Sequence, residues 1–182
     1  MLRLILIFFP FFLFGQVKKD EFDVYKKFLE RKVHYQLRSE LTNMDFKIHE
    51  SDEYLSNNQE FINKYITYGF SGEVGYMISD YTELSLGLSY YKLFDYNLNY
   101  YPVFTRIRFF ADEGINTFYI SLKTGYNLGN YKGIHLEGAL GLRFGAFSLI
   151  PLNLNLFLTL NDLDYPDYDK NLKAGLSLGI EL

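Results

Sequence analysis

Residues 133–145 read GIHLEGALGLRFG. Ile134, Leu136, Leu140, Leu142 and Phe144 occupy alternate positions with Gly138 among them, and His135, Glu137, Ala139, Gly141 and Arg143 fall between. Successive side chains of an extended chain point to opposite faces, so this stretch is a strand with one apolar face and one face of charged and small residues. Most soluble strands run about 5–6 residues. Here the alternation spans the whole stretch and recurs along the chain at similar length. Repeated segments of about ten alternating residues with turns between them are the pattern of a membrane-spanning β-barrel.

Seven other stretches carry the alternation, giving an even count of eight. They cover 33–41 (Tyr35 and Leu37 against His34, Gln36, Arg38 and Glu40), 66–78 (Phe70 and Val74 against Ser71 and Glu73) and 82–92 (Leu84, Leu86 and Leu88 against Glu83 and Ser85). Next come 100–110 (Val103, Ile107 and Phe109 against Arg106 and Arg108) and 116–127 (Phe118, Ile120 and Leu122 against Tyr119, Ser121 and Lys123). The last two are 149–160 (Leu152, Leu154, Leu156, Leu158 and Leu160 against Asn153, Asn155 and Thr159) and 172–182 (Leu176, Leu178 and Ile180 against Lys173, Ser177 and Glu181). The gaps at 42–65 and 161–171 are long and polar, whereas 79–81, 111–115 and 145–148 are tight. Bacterial barrels have short periplasmic turns and longer outer loops, which places both termini on the periplasmic side.

The N-terminus supports export. Arg3 precedes the apolar run 4–14 (LILIFFPFFLF), the length of a signal-peptide core, with Gly15 and Gln16 as a small-residue cleavage neighbourhood. Pro10 in mid-run opposes a stable helical span. The chain therefore divides into a signal peptide (1–16), a periplasmic leader (17–32) and a barrel domain (33–182). Within the leader, 20–32 reads as a short helix, with Asp20 as N-cap, Glu21 and Asp23 in its first turn and basic residues late. A net charge of −4 gives no electrostatic case for nucleic acid, and the chain has no Cys to form a disulfide, a thiolate nucleophile or a lipid anchor.

Alternation alone does not say which face looks at lipid. Three features put the apolar face outward: the export signal, strands long enough to cross at a tilt, and Tyr68, Tyr76, Tyr90, Tyr101 and Tyr126 near strand ends, where amphipathic rings sit at headgroup level. The fold class is then all-β: an eight-stranded antiparallel up-and-down transmembrane barrel in the outer membrane. Its inner face collects Arg38, Glu40, Glu73, Glu83, Arg106, Arg108, Lys123, His135, Glu137, Arg143, Lys173 and Glu181. Eight strands enclose a space that side chains just fill, and unpaired buried charge is costly. These residues are expected to form a packed ion-pair network, with His135 and Glu137 as a hydrogen-bonded pair and no open channel.

The N-terminal signal together with YPVFTRIRFF (101–110), FYISLKTGYNLG (118–129), HLEGALGLRFG (135–145) and GLSLGIEL (175–182) resembles the small eight-stranded outer-membrane β-barrel family, the OmpX-like and OmpW-like group with the "outer membrane protein beta-barrel" domain. The resemblance covers roughly 32–182. It implies an outer-membrane protein inserted by the barrel-assembly machinery, and it carries no catalytic motif. The family's last strand usually ends on an aromatic residue, whereas this one ends on Leu182.

No Gly-x-Ser-x-Gly elbow, phosphate loop or HExxH spacing is present. Two acidic clusters, His49, Glu50, Asp52 and Glu53, and Asp162, Asp164, Asp167 and Asp169, read as solvated loops, with weak divalent-cation binding as the alternative. The expected function is a non-enzymatic structural or interaction barrel. It carries no cofactor and no metal, is a monomer in outer-membrane lipid, and has contact loops whose ligand is unknown. A narrow passage for small apolar solutes, as the OmpW-like resemblance allows, and a lipid-modifying enzyme at the lumen rim around His135 are the alternatives.

Overall fold

The computed structural model describes residues 30–47, 67–93, 98–129, 132–146, 150–163 and 171–182. The signal peptide expected at 1–16 and the helix expected over 20–32 lie outside them, apart from residues 30–32, which are not helical. Nine strands follow: β1 (Val33–Lys47), β2 (Thr67–Ser79), β3 (Thr82–Leu93), β4 (Leu98–Tyr100), β5 (Pro102–Phe110), β6 (Thr117–Asn127), β7 (Gly133–Ala146), β8 (Ile150–Leu163) and β9 (Asn171–Glu181). All pairings are antiparallel, β2 pairs both β1 and β3, and β1 pairs β9, so the sheet closes on itself. Strands β4 and β5 both pair with β3 and form one stave. The result is an eight-stave transmembrane barrel.

The break within that stave has a local cause. Pro102 has no N–H to give to the ladder. The Tyr101 amide immediately before it donates instead to the side-chain oxygen of Asn127 at 2.6 Å, and Leu128 N–H reaches the Tyr101 carbonyl.

Two boundaries differ from the sequence reading by three residues or more. β1 runs to residue 47 rather than 41, and β8 to 163 rather than 160. In both, ladder hydrogen bonding continues past a break in the apolar alternation. β1 stays paired with β9 past an irregularity between Thr42 and Met44, and β8 stays paired with β7 as far as Leu163. Backbone pairing does not require an apolar face once a strand leaves the hydrocarbon layer. Asp162 therefore belongs to a strand, while Asp164, Asp167, Asp169 and the His49 cluster lie outside the described residues.

The core of this molecule is polar and its surface is oily. Along β8, Leu156 is 58% exposed between Asn155 and Phe157, each 1% exposed. The same inversion holds for Leu86, Leu122, Leu140 and Leu178, all more than half exposed. Closing the ring leaves no unpaired strand edge in a solvent that cannot hydrogen-bond.

Inside, aromatic rings fit against glycines directly across the ladder. Phe104 faces both Gly87 and Gly125, Tyr119 faces Gly141, Phe157 faces Gly175, and Tyr91 faces Gly69. A Cβ on Gly125 would stand 2.5 Å from the Val103 carbonyl oxygen and 2.8 Å from Phe104 Cβ. Such overpacking costs about 1–3 kcal/mol. Gly138 faces lipid with nothing within 4 Å of its missing Cβ. Gly125→Ala is thus expected to lower the guanidinium unfolding midpoint in detergent micelles, and Gly138→Ala to leave it within about 0.5 kcal/mol of wild type. Equal midpoints for the two variants would refute the ring-and-notch packing.

Candidate functional site

Each inward position of the alternation delivers its side chain to one lumen, and all twelve residues expected there are buried. Most join a continuous network. At mid-depth Arg38 from β1 contacts Glu137 Oε1 and Glu40 Oε1, each at 2.7 Å. Lys123 from β6 reaches Glu137 Oε2 at 2.7 Å and Glu40 Oε1 at 3.6 Å. Arg106 bridges Glu73 Oε1 at 2.8 Å and Glu137 at 3.5 Å. Toward the end that carries both termini, Arg108 Nη2 contacts Glu73 Oε1 at 2.9 Å and Glu83 Oε1 at 2.6 Å, with Glu181 at 3.8 Å. Glu73 and the two neighbouring arginines of β5 therefore link the middle of the lumen to its terminus end.

Hydroxyls and amides complete the carboxylate shells. Ser85 Oγ donates to Glu73, Ser71 Oγ and Tyr91 Oη donate to Glu40, and Asn153 Nδ2 donates to Glu181. A buried ion pair repays its desolvation only when such partners satisfy the remaining lone pairs.

Three of the expected residues sit differently from the sequence reading. His135 does not pair with Glu137. Its Nδ1 lies 2.6 Å from Asn161 Oδ1 on the neighbouring strand, while Glu137 is held by Arg38 and Lys123. Same-face neighbours on one strand are separated by two rises of about 3.3 Å, farther than a direct cross-strand partner. Arg143 makes no ion pair among the described residues. It donates to the Gly114 carbonyl at 3.1 Å and lies over the Phe110 ring at 4.3 Å. Lys173 Nζ donates to Thr67 Oγ1 at 3.1 Å and lies 5.5 Å from the Tyr100 ring.

Two things escaped the sequence reading. His34 belongs to the network, its Nδ1 lying 3.2 Å from both Glu83 Oε2 and Glu181 Oε1. Aromatic rings form the second half of the lumen: Arg38 lies over Phe157, Arg106 and Lys123 over Phe104, and Arg108 over Tyr119, all within 6 Å. Including Arg143 and Lys173, every one of the six lumenal Arg and Lys side chains has a ring beneath it. The buried acids Glu40, Glu73, Glu83, Glu137 and Glu181 number one fewer than those cations. Ring faces supply part of the missing negative potential. The signal was available: Phe104, Phe110 and Phe157 share the strand parity of Arg106, Arg108 and Asn155.

Outward, at the two strand ends, tyrosines cluster as amphipathic belts do. Tyr90 and Tyr101 lie 5.3 Å apart by ring centroid, and Tyr68 meets Phe70 edge-on at 4.5 Å. At the terminus end, Tyr81 donates to Glu113 at 2.8 Å between two of the tight turns.

No family model matches the chain, and no curated protein does. Among solved structures the chain is similar to Neisserial surface protein A, with a TM-score of 0.56 and 12% identity over 84% of this chain and 97% of that one. A de novo designed transmembrane β-barrel aligns with a TM-score of 0.46 and 12% identity over 84% of this chain and 98% of the other. At 12% identity the likeness to Neisserial surface protein A is one of fold: the chain has the architecture of a small eight-stranded transmembrane β-barrel.

Proposed function

We propose that this protein is a closed, non-conducting barrel that anchors its longer connections at one face of the outer membrane, where they meet a partner. The observation that carries this reading is the filled lumen. At successive depths the space is occupied by His34, Glu83, Glu181 and Arg108, then by Arg38, Glu73, Arg106, Glu137 and Lys123, and then by stacked Tyr91 and Tyr100 with His135 and Lys173. An eight-stave barrel leaves room for side chains and little else.

β1 ends and β2 begins, and likewise β8 ends and β9 begins, at the end of the barrel opposite Leu182, so the long connections 48–66 and 164–170 join strands there. With the start of β1 and the end of β9 on the periplasmic side, those strand ends open outward from the cell. The five buried lumenal carboxylates of the described residues, Glu40, Glu73, Glu83, Glu137 and Glu181, each lie within 4 Å of a basic side chain, which favours a structural over a catalytic role. The protein is taken to work as a monomer in outer-membrane lipid, delivered there by the barrel-assembly machinery, with no cofactor and no nucleic acid partner.

Conductance separates this reading from passage of solutes. Purified barrel in planar bilayers is expected to give no discrete conductance steps above the lipid baseline, and proteoliposomes are expected to exclude small apolar and polar solutes alike. Reproducible steps or uptake would replace the anchoring role with a transport role.

A further inference from the structure

We infer that the terminus end of the lumen holds a binding site for one divalent transition-metal ion, with His34 Nδ1, Glu83 Oε2 and Glu181 Oε1 as its protein ligands. The three residues come from β1, β3 and β9, and their ligating atoms all lie within 4.8 Å of one another. Both carboxylate oxygens stand 3.2 Å from the same ring nitrogen. Tetrahedral ligands at the usual zinc distances of about 2.0–2.2 Å are separated by about 3.4 Å, so two edges of such a site are already close to their bound lengths.

Protons alone leave this arrangement incompletely satisfied. Nδ1 carries a single hydrogen, and Glu83 Oε2 is its hydrogen-bond partner. Glu181 Oε1, at the same distance and 0% exposed, competes for that one hydrogen and has Arg108 Nη1 no nearer than 3.8 Å. A metal ion in place of that hydrogen engages both oxygens at once, and one proton leaves Nδ1 on binding.

The backbone also makes room for the cluster. Gly75 on β2 is the direct partner of His34, and a Cβ there would stand 2.3 Å from Glu83 Oε1. Only a glycine lets Glu83 reach across β2 toward β1. Outer partners hold the ligands in place: Arg108 takes the other oxygen of Glu83 and Asn153 the other oxygen of Glu181. Arg108 also holds Glu73 at 2.9 Å, so its charge stays compensated when Glu83 turns to the metal. One imidazole with two carboxylates suits Zn²⁺ and its neighbours rather than Ca²⁺ or Mg²⁺.

The test uses the whole chain, stripped with EDTA and folded in detergent. Co²⁺ is expected to give a visible d–d absorption that saturates at one metal per chain and is displaced by Zn²⁺. His34→Gln and Glu181→Gln should abolish it while the folded band on unheated gels persists. His49→Ala, which cripples the other histidine-bearing acidic cluster, should leave it intact. Should the lumen variants fail to fold, histidine ¹⁵N NMR of the wild-type protein gives the same answer: Zn²⁺ shifts Nδ1 of one histidine, and that signal persists in His49→Ala and His135→Ala. No saturable Co²⁺ band, a band kept by folded His34→Gln, or a band or Nδ1 shift lost in His49→Ala would overturn the assignment.

Discussion

Glu137→Gln is expected to destabilise the folded barrel by about 3–5 kcal/mol, the range for removing one partner from a buried ion pair. The effect is large because Glu137 serves three cations: Arg38 and Lys123 at 2.7 Å and Arg106 at 3.5 Å. Among the described residues the buried lumenal Arg and Lys number six against five carboxylates, so the loss widens that difference. Gln keeps the size of Glu, removes the charge and turns one acceptor oxygen into an NH2 donor facing Arg38 or Lys123, so the change reads the ion pairs and not the packing volume. Lys123→Met in the same chain should recover part of the loss, because it removes one of the stranded cations. A coupling energy above about 1 kcal/mol in that cycle is the expected sign of direct interaction. Unfolding in guanidinium, followed by the shift between folded and unfolded bands on unheated gels, measures each term. A Glu137→Gln barrel as stable as wild type would mean that these charges are solvated rather than packed.

The second large effect lies on the opposite face. Leu156→Arg is expected to cost about 2–4 kcal/mol in a lipid bilayer, the penalty for Arg on the lipid side of a barrel near the membrane midplane. Leu156 sits mid-strand in β8, flanked across the ladder by Leu140 and Leu176, and all three project outward with more than half their surface exposed. The same change at Leu182, at the end of the chain, should cost at most about 1 kcal/mol, since the penalty fades toward the interface. Refolding into vesicles and titrating with guanidinium gives both numbers. Equal costs at the two sites would remove the membrane from the explanation.

How much of this was legible in the sequence follows from which signals are local. Strand number, strand faces and turn positions are set by alternation within about ten residues, so 82–92 and 133–145 differ from the observed β3 and β7 only at their last residue. Strand ends are set by pairing with a neighbour, so the extension of β1 to Lys47 was masked in the sequence by a one-residue phase shift, Leu41 being followed by Met44 and Phe46 across the irregularity at Thr42 and Met44. The break at Tyr101 did have one, Pro102, which counts only once its place in a ladder is known.

The lumen shows the same division. That Arg106 and Glu137 face inward is a matter of parity. That they stand 3.5 Å apart over β6 depends on the registers β6 keeps with β5 and β7. His34 and Glu83 lie 49 residues apart in sequence and meet only because Gly75 opens the way across β2. The aromatic–glycine notches are likewise a matter of register: Phe157 and Gly175 look unrelated until β8 and β9 are aligned.

The central claim is that leucines of this sheet look at lipid while alternate residues look at a packed polar interior. The chain has no cysteine, so single cysteines at 154, 155, 156, 157 and 158 can each carry a nitroxide without background. In vesicles, collision with dissolved oxygen, which concentrates in the hydrocarbon, should be high at 154, 156 and 158 and low at 155 and 157. The opposite phase, or uniform accessibility to a water-soluble nickel reagent at 154, 156 and 158, would contradict it.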